Sequence, residues 1–185
     1  MPRENANSDQ FREAADDFDR YFAISSFQDI INYLIQLVDE EGLDVNEIYI
    51  FDHSGINANS DVTGLYFGDE WIPNSQLEKA ISGIAPFTTD DATINLRHCY
   101  FGNRTELMID IATASNRAIT ASKGKVTQNG PRIYDPNAEE IDGPEYRLGG
   151  DLMLAPAGGG QVQTIWTPRS RHWFWEDIVV NPPHY

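Results

Sequence analysis

Short runs of β-branched and aromatic residues alternate along this chain with segments that carry apolar residues at helical spacing. The helix patterns follow Pro73 and surround Met108. Strands are predicted at residues 47–52, 64–68, 92–97 and 118–122, and residues 69–72 return from the second as a hairpin. Strands and helices in this alternation form right-handed crossovers in a mainly parallel sheet, covered by helices on both faces. The sequence therefore predicts an α/β fold with three layers.

The first helix has both a cap and a clear apolar period. Ser26 is a favoured N-cap residue, and Asp29 stands three residues later, where a capping acid belongs. Apolar residues follow at helical spacing from Phe27 to Val38. Gly42 is the expected stop. A short strand is predicted just before this helix, at residues 21–25.

The 185 residues suit one domain with one core, spanning 1–185. Residues 1–18 are predicted as a polar N-terminal arm and residues 19–126 as the α/β core. In residues 127–185, glycine, proline and polar residues are frequent, which indicates loops and short strands packed on that core. This last part contains a candidate strand at 161–167, a turn at Gly158-Gly159-Gly160 and an aromatic cluster at Trp173-Phe174-Trp175.

The formal net charge of −16 narrows the choice of partners. Nucleic acids and anionic membrane surfaces are polyanions and would be repelled, whereas high solubility or a basic partner is compatible with this charge. No apolar run reaches the length of a membrane span, and a single cysteine permits no internal disulfide. The N-terminus lacks the apolar stretch of a secretory signal. We therefore expect a protein that is cytoplasmic, or exported without a cleaved signal peptide.

Two reactive side chains follow predicted strands directly. His53 comes after the strand that ends at Asp52, and Cys99 follows the next buried strand, 46 residues later. Ligands of open α/β sheets bind at the carboxyl ends of the strands. If these two strands are parallel neighbours, His53 and Cys99 meet at one edge of the sheet.

A thiol paired with an imidazole is a nucleophilic site. The thiolate attacks, and the imidazole takes up the thiol proton and later protonates the leaving amine. A tetrahedral intermediate also needs backbone N–H donors for its oxyanion. Gly55, which follows His53 closely, and Cys99 itself are the candidate donors.

The strand-end histidine, a nearby glycine and the later strand-end cysteine resemble the caspase-like (clan CD) cysteine peptidases, and most of all their bacterial branch of gingipains and self-processing toxin domains. The resemblance covers roughly residues 19–126. It implies a caspase-like sandwich, catalytic roles for His53 and Cys99, and cleavage of a protein or peptide substrate, often the chain itself. It implies no cofactor. The segments that carry it are Ile50-Phe51-Asp52-His53-Ser54-Gly55, Gly64-Leu65-Tyr66-Phe67-Gly68, Leu96-Arg97-His98-Cys99 and Ile119-Thr120-Ala121-Ser122.

Acidic residues are candidates for a substrate pocket that takes a basic side chain. The candidates are Asp52, Asp61, Asp90, Asp91 and Asp151. A zinc site built from His53, His98, Cys99 and Asp52 is a chemical alternative, but no CxxC or HExxH spacing favours it. His98 is interpreted as structural, because strand neighbours point to opposite faces. The alternative function is a catalytically silent caspase-like module that binds a protein, as an adaptor or immunity protein does.

Overall fold

The computed structural model describes residues 20, 22–59, 61–128 and 146–167 and has a mixed α/β architecture. A π-helical turn, Gln36–Glu40, extends the first helix. Short 3₁₀ turns stand at Ala85–Phe87 and Phe101–Asn103. In chain order the elements are α1 (Phe27–Ile35), β1 (Glu47–Asp52), β2 (Ser54–Ile56), β3 (Val62–Phe67), β4 (Glu70–Pro73), α2 (Asn74–Ser82), β5 (Thr93–His98), α3 (Thr105–Ser115), β6 (Ala118–Ser122), β7 (Val126–Gln128), β8 (Tyr146–Leu148), β9 (Leu152–Ala155) and β10 (Gln163–Trp166).

A five-stranded sheet in the order β1-β5-β6-β9-β10 forms the centre of the fold. β1, β5 and β6 pair in parallel, whereas β9 runs antiparallel to both of its neighbours. The predicted α/β class with a mainly parallel sheet is therefore confirmed. Each parallel pair is joined through a helix, α2 between β1 and β5 and α3 between β5 and β6.

A smaller antiparallel sheet, β2-β3-β4, projects from the carboxyl end of β1. The hairpin predicted at 64–72 is confirmed as β3 and β4, with Gly68 in the turn at φ +65°. The Gly68 N–H donates to Asp52 Oδ2 at 2.6 Å. A backbone bond from Asp69 N–H to the Ser25 carbonyl, 2.9 Å, ties the same turn to the start of α1.

The N-terminus of α1 agrees with its sequence signature, but the strand predicted before it is wrong. Residues 22–24 are irregular, and residues 25 and 26 form a bend. The N–H groups of Ser25 and Ser26 both donate to Asp29 Oδ2, at 2.9 Å each, which completes the capping box. Because the cap and the Asp69 bond use these backbone groups, the segment does not enter a sheet. Gly42 has φ +69° and ends the helical segment as predicted.

The described helices pack on one face of the sheet. α2 lies against α3, and the buried residues of all three helices share one hydrophobic core with alternate strand residues. The core side chains that best mark this contact are Leu34, Leu77, Met108, Ile50, Leu96 and Ala121. Among the residues the structure describes, no helix is both long and apolar enough to cross a membrane.

Polar side chains occupy the centre of the opposite face. Asn95, Arg97 and Thr120 alternate with the core residues of β5 and β6 and are buried. The Arg97 guanidinium donates to Asn95 Oδ1 at 3.1 Å and to Thr120 Oγ1 at 2.9 Å. It also lies 5.3 Å from the centre of the Tyr49 ring. The helical layer that a three-layer sandwich places on this face stays a prediction.

The predictions for the two ends of the chain differ in outcome. The candidate strand at 161–167 is confirmed as β10, and Gly158, Gly159 and Gly160 form a turn in which all three have positive φ. The N-terminal arm at 1–18 and the aromatic cluster at 173–175 lie outside the described residues.

Gly68 and Gly42 have nearly the same φ, and they provide a matched test of the packing of the β3–β4 turn against the start of α1. An added Cβ at Gly68 would lie 2.5 Å from backbone atoms of Ser25, whereas one at Gly42 meets nothing within 4 Å. We expect Gly42→Ala to lower the free energy of unfolding by about 1 kcal/mol through left-handed strain. Gly68→Ala should cost about 1–3 kcal/mol more, because the turn must move away from α1. Urea denaturation measures both, and equal losses would contradict the contact between the turn and α1.

Candidate functional site

His53 and Cys99 lie side by side at the carboxyl edge of the sheet. β1 and β5 are parallel neighbours, and their last paired residues are Asp52 and His98. His53 and Cys99 come directly after this pair. The topology thus brings together the two strand ends on which the proposed nucleophilic site depends.

The chain around His53 forms hydrogen bonds with Cys99, which follows β5, and with Tyr66 on β3. Ser54 Oγ donates to the Cys99 carbonyl at 2.5 Å. The Tyr66 N–H donates to the His53 carbonyl at 2.9 Å, so β3 pairs with the backbone of His53. The His53 side chain is exposed. These contacts fix the backbone of His53 and leave its imidazole open to solvent.

The Cys99 thiol is partly buried, and it contacts the main chain of β7. The Val126 N–H donates to Sγ at 3.4 Å, and the thiol donates to the Val126 carbonyl at 3.6 Å. Within the described residues, no hydrogen bond joins the Cys99 thiol to the His53 ring. The N–H and the carbonyl of Val126 thus hold the sulfur against β7.

The backbone turns sharply just after Cys99. Tyr100 has φ +63°, a left-handed conformation that costs a non-glycine residue about 1–2 kcal/mol. Its N–H donates to the Gly124 carbonyl at 2.8 Å, which holds the turn against the segment after β6. A 3₁₀ turn and then α3 follow. Cys99 therefore stands at a strained strand-to-helix turn, the type of position at which such strain accompanies function.

Asp52 links the end of β1 to the β3–β4 turn. Its carboxylate accepts the His53 N–H at 2.7 Å and the Gly68 N–H at 2.6 Å. Burial raises the pKa of Asp52, while the two hydrogen bonds and the nearby His53 act in the opposite direction. The carboxylate is thus engaged by backbone N–H groups at the base of the site.

His98 is fully buried and bonded to β3. Its Nε2 lies 3.0 Å from the Tyr66 carbonyl, and since a carbonyl can only accept, Nε2 carries the proton. Nδ1 has no hydrogen-bond partner among the described residues. Burial lowers the pKa of His98 from 6.5 to about 4, so the ring is neutral at pH 7. This agrees with the structural role predicted for His98. Tyr66 thus links His98, through its carbonyl, to the backbone of His53, through its N–H.

Gly55 has a packing function in the structure. It pairs with Gly64 across β2 and β3. A Cβ on Gly55 would lie 2.7 Å from Nε1 of Trp71, and one on Gly64 would lie 2.6 Å from the same atom. The absence of both side chains gives the Trp71 indole its place on the hairpin. The role of Gly55 as an oxyanion donor stays a prediction.

The remaining acidic candidates lie at different distances from this edge. Asp151 precedes β9, and its carbonyl accepts the Lys123 N–H at 2.9 Å, which places it at the same edge as Cys99. Asp61 lies in the β2–β3 loop, where its carboxylate accepts from the Asn57 amide at 3.3 Å. Asp151 is therefore at the edge that carries Cys99, whereas Asp61 lies at the loop end of the β2–β3 hairpin.

Asp90 and Asp91 are not brought to the site. Both precede β5 at its amino end, and Asp90 bonds Arg117 at 3.3 Å. The six residues of β5, about 20 Å of extended chain, separate them from Cys99. Their proposed place in a pocket beside Cys99 is therefore wrong, because the parallel register puts them at the opposite edge.

Three features of the site were missed from the sequence. The bond from Ser54 to Cys99 and the contact of Val126 with the thiol join distant segments and have no local signal. The third feature, the buried cluster of Arg97, Asn95 and Thr120, does have a local signal in the sequence. Asn95 and Arg97, and likewise Thr120 and Ser122, are polar at every second position of strands that otherwise look apolar.

No family model, no curated protein and no solved structure matches this chain. The resemblance to caspase-like peptidases therefore depends on the residues quoted for it. Among the residues that the structure describes, no three His, Cys, Asp or Glu side chains cluster as metal ligands.

The buried His98 predicts a specific pH dependence of stability. Its pKa is lower in the folded chain than in the unfolded chain, so acid favours the unfolded chain, which binds the proton more readily. The wild type should therefore lose about 3 kcal/mol between pH 7 and pH 4 relative to His98→Gln, whose amide does not titrate. The raised pKa of Asp52 has the opposite sign but is present in both proteins and cancels. Parallel curves of unfolding free energy against pH would contradict a neutral, buried His98.

Proposed function

We propose that this chain is a caspase-like cysteine endopeptidase domain, with Cys99 as the nucleophile and His53 as the general acid and base. The main support is the parallel pairing of β1 with β5, which sets both residues at one sheet edge. The proposal includes the three-layer sandwich of that family and a substrate that is a protein or peptide. A cytoplasmic location, or export without a cleaved signal, belongs to the same proposal.

The reaction would proceed through a thioester. His53 accepts the thiol proton, and the Cys99 sulfur attacks the carbonyl carbon of the scissile peptide bond. Backbone N–H groups near Cys99 and Gly55 stabilise the oxyanion. His53 then returns the proton to the leaving nitrogen, the C–N bond breaks, and water hydrolyses the thioester with His53 as the base.

Three structural features support the assignment of Cys99 and His53. The Val126 N–H donates to the Cys99 sulfur and holds it at the carboxyl end of β5. The His53 ring is exposed, so it can turn towards the sulfur without breaking a described hydrogen bond. Asp52 accepts the His53 N–H, and Tyr66, which His98 bonds, donates to the His53 carbonyl, so both limit movement of the His53 backbone.

The second candidate is a catalytically silent caspase-like module that binds a protein partner. The observation in its favour is that the thiol bonds the main chain of Val126 while the His53 ring makes no described contact with it. A module of this kind would keep the fold and the strand-end pair but would not activate the thiol.

Alkylation of Cys99 distinguishes the peptidase from the silent module. Because Cys99 is the single cysteine, iodoacetamide incorporation reports its reactivity alone. For the peptidase we expect a rate above that of free cysteine at pH 7, and a large fall in His53→Ala. Asp91→Ala, an exposed change at the opposite edge of the sheet, is the matched control and should leave the rate unchanged. A rate equal to that of free cysteine and insensitive to His53→Ala would contradict the peptidase and favour the silent module.

Peptide-library cleavage supplies the second measurement. Cys99→Ala should abolish cleavage, and His53→Ala should lower turnover by about 100-fold, the scale of a general acid–base contribution. A library that the wild type leaves intact, together with a slow thiol, would overturn the peptidase.

A further inference from the structure

Exposed apolar side chains are concentrated on the small β2-β3-β4 sheet. Ile56, Tyr66 and Trp71 are 42%, 38% and 46% exposed, and they are three of the five large hydrophobic residues that the described structure leaves exposed. The other two, Phe22 and Leu43, lie outside this sheet. Tyr66 and Trp71 share the face of this sheet that Gly55 presents, whereas Ile56 follows Gly55 in β2 and points to the other face. We call Tyr66 and Trp71 the hairpin patch. Grouped apolar exposure of this kind marks interaction sites, whereas single exposed residues do not.

The hairpin patch has a rigid aromatic centre. Tyr66 and Trp71 are directly opposite each other on β3 and β4. The Trp71 indole also lies over Gly55 and Gly64, where any Cβ would come within 2.8 Å of its ring. An aromatic ring held in place before binding loses little conformational entropy when a ligand covers it. Tryptophan and tyrosine in such positions dominate the energy of many protein interfaces.

The Asp, Glu, Lys and Arg residues of the segment that carries the patch have one sign of charge. Between Arg20 and Lys79 the sequence contains eleven Asp and Glu residues and neither Lys nor Arg. This stretch includes α1, β1 and the whole β2-β3-β4 sheet. Asp61, Asp69 and Glu70 are exposed in its loops and turn. A surface of this kind attracts cations and repels nucleic acids and anionic lipids. It also repels a second copy of this chain, whose net charge is −16.

We propose that the hairpin patch docks a basic segment of a partner protein, one that carries lysine or arginine beside an aliphatic or aromatic side chain. A guanidinium or ammonium group lies over the Trp71 indole in a cation–π contact, the exposed acids Asp69 and Glu70 beside Trp71 attract the remaining charges, and the apolar side chain covers Tyr66. The β3 bond to the His53 carbonyl places this surface beside the candidate active site. Docking needs no reaction at Cys99, so the patch serves a substrate and a non-substrate partner equally.

The probe is a fluorescein-labelled glycine–serine peptide that carries arginines and leucines. Two control peptides replace the arginines with glutamates or the leucines with serines. Fluorescence anisotropy with Cys99→Ala protein measures binding without cleavage. We expect a Kd of the order of 10–100 µM for the arginine–leucine peptide, weaker binding of the leucine-free peptide, and no binding of the glutamate peptide. Arginine–leucine binding should weaken as salt rises.

Protein variants identify the surface. Trp71→Ala should weaken binding of the arginine–leucine peptide by about tenfold or more, and Asp69→Lys should weaken it severalfold. Leu43→Ala removes an equally exposed apolar side chain outside the patch, within the same acidic stretch, and should leave the Kd unchanged. If Trp71→Ala does not fold, as judged by circular dichroism, Tyr66→Ser together with Asp69→Lys tests the same surface.

Three results would overturn docking at the hairpin patch. They are a Kd above about 1 mM for the arginine–leucine peptide, equal binding of the glutamate peptide, and unchanged affinity in the patch variants. Since alkylation of Cys99 is measured separately, an inactive thiol with intact peptide binding would reject the peptidase and retain the docking surface. An active peptidase that does not bind the peptide would reject the docking surface and retain the peptidase.

Discussion

The parallel pairing of β1 with β5 is the contact on which the rest of the site depends. Its register, with Asp52 opposite His98, puts the two following residues, His53 and Cys99, at one edge. The register also determines which face of the sheet each side chain of β1 and β5 occupies, because side chains alternate along a strand. A shift of one residue would exchange the apolar and the polar face of β5, both of which are buried, and would move His98 away from the Tyr66 carbonyl.

Around this pair, buried polar groups hold the small sheet to the large one. Asp52 reaches the β3–β4 turn through Gly68, and His98 reaches the Tyr66 carbonyl. The Tyr66 N–H then bonds the His53 carbonyl. These bonds are favourable because an unpaired buried donor or acceptor costs about 1–3 kcal/mol. The same bonds that stabilise the junction therefore also define the position of the His53 backbone.

Charge and apolar exposure are distributed unevenly over the fold. The stretch from residue 21 to 78 carries only acidic charges, and it also carries the exposed aromatic pair Tyr66 and Trp71. Among the described residues, the buried arginines lie elsewhere, Arg97 in the polar centre of the sheet and Arg117 just before β6. The exposed acids and these buried cations therefore belong to different segments of the chain.

The sequence by itself determined the elements that depend on local chemistry. The Ser26–Asp29 cap, the apolar period of α1, the strands at 47–52 and 118–122 and the hairpin at 64–72 all follow from neighbouring residues, because caps and periodicity involve only a few adjacent positions. Only the tertiary structure decided what joins distant segments. It placed Asp90 and Asp91 at the far edge, Val126 against the thiol, Ser54 on Cys99 and Trp71 over two glycines. These contacts depend on strand order and register, which are set by packing of the whole core rather than by any local pattern.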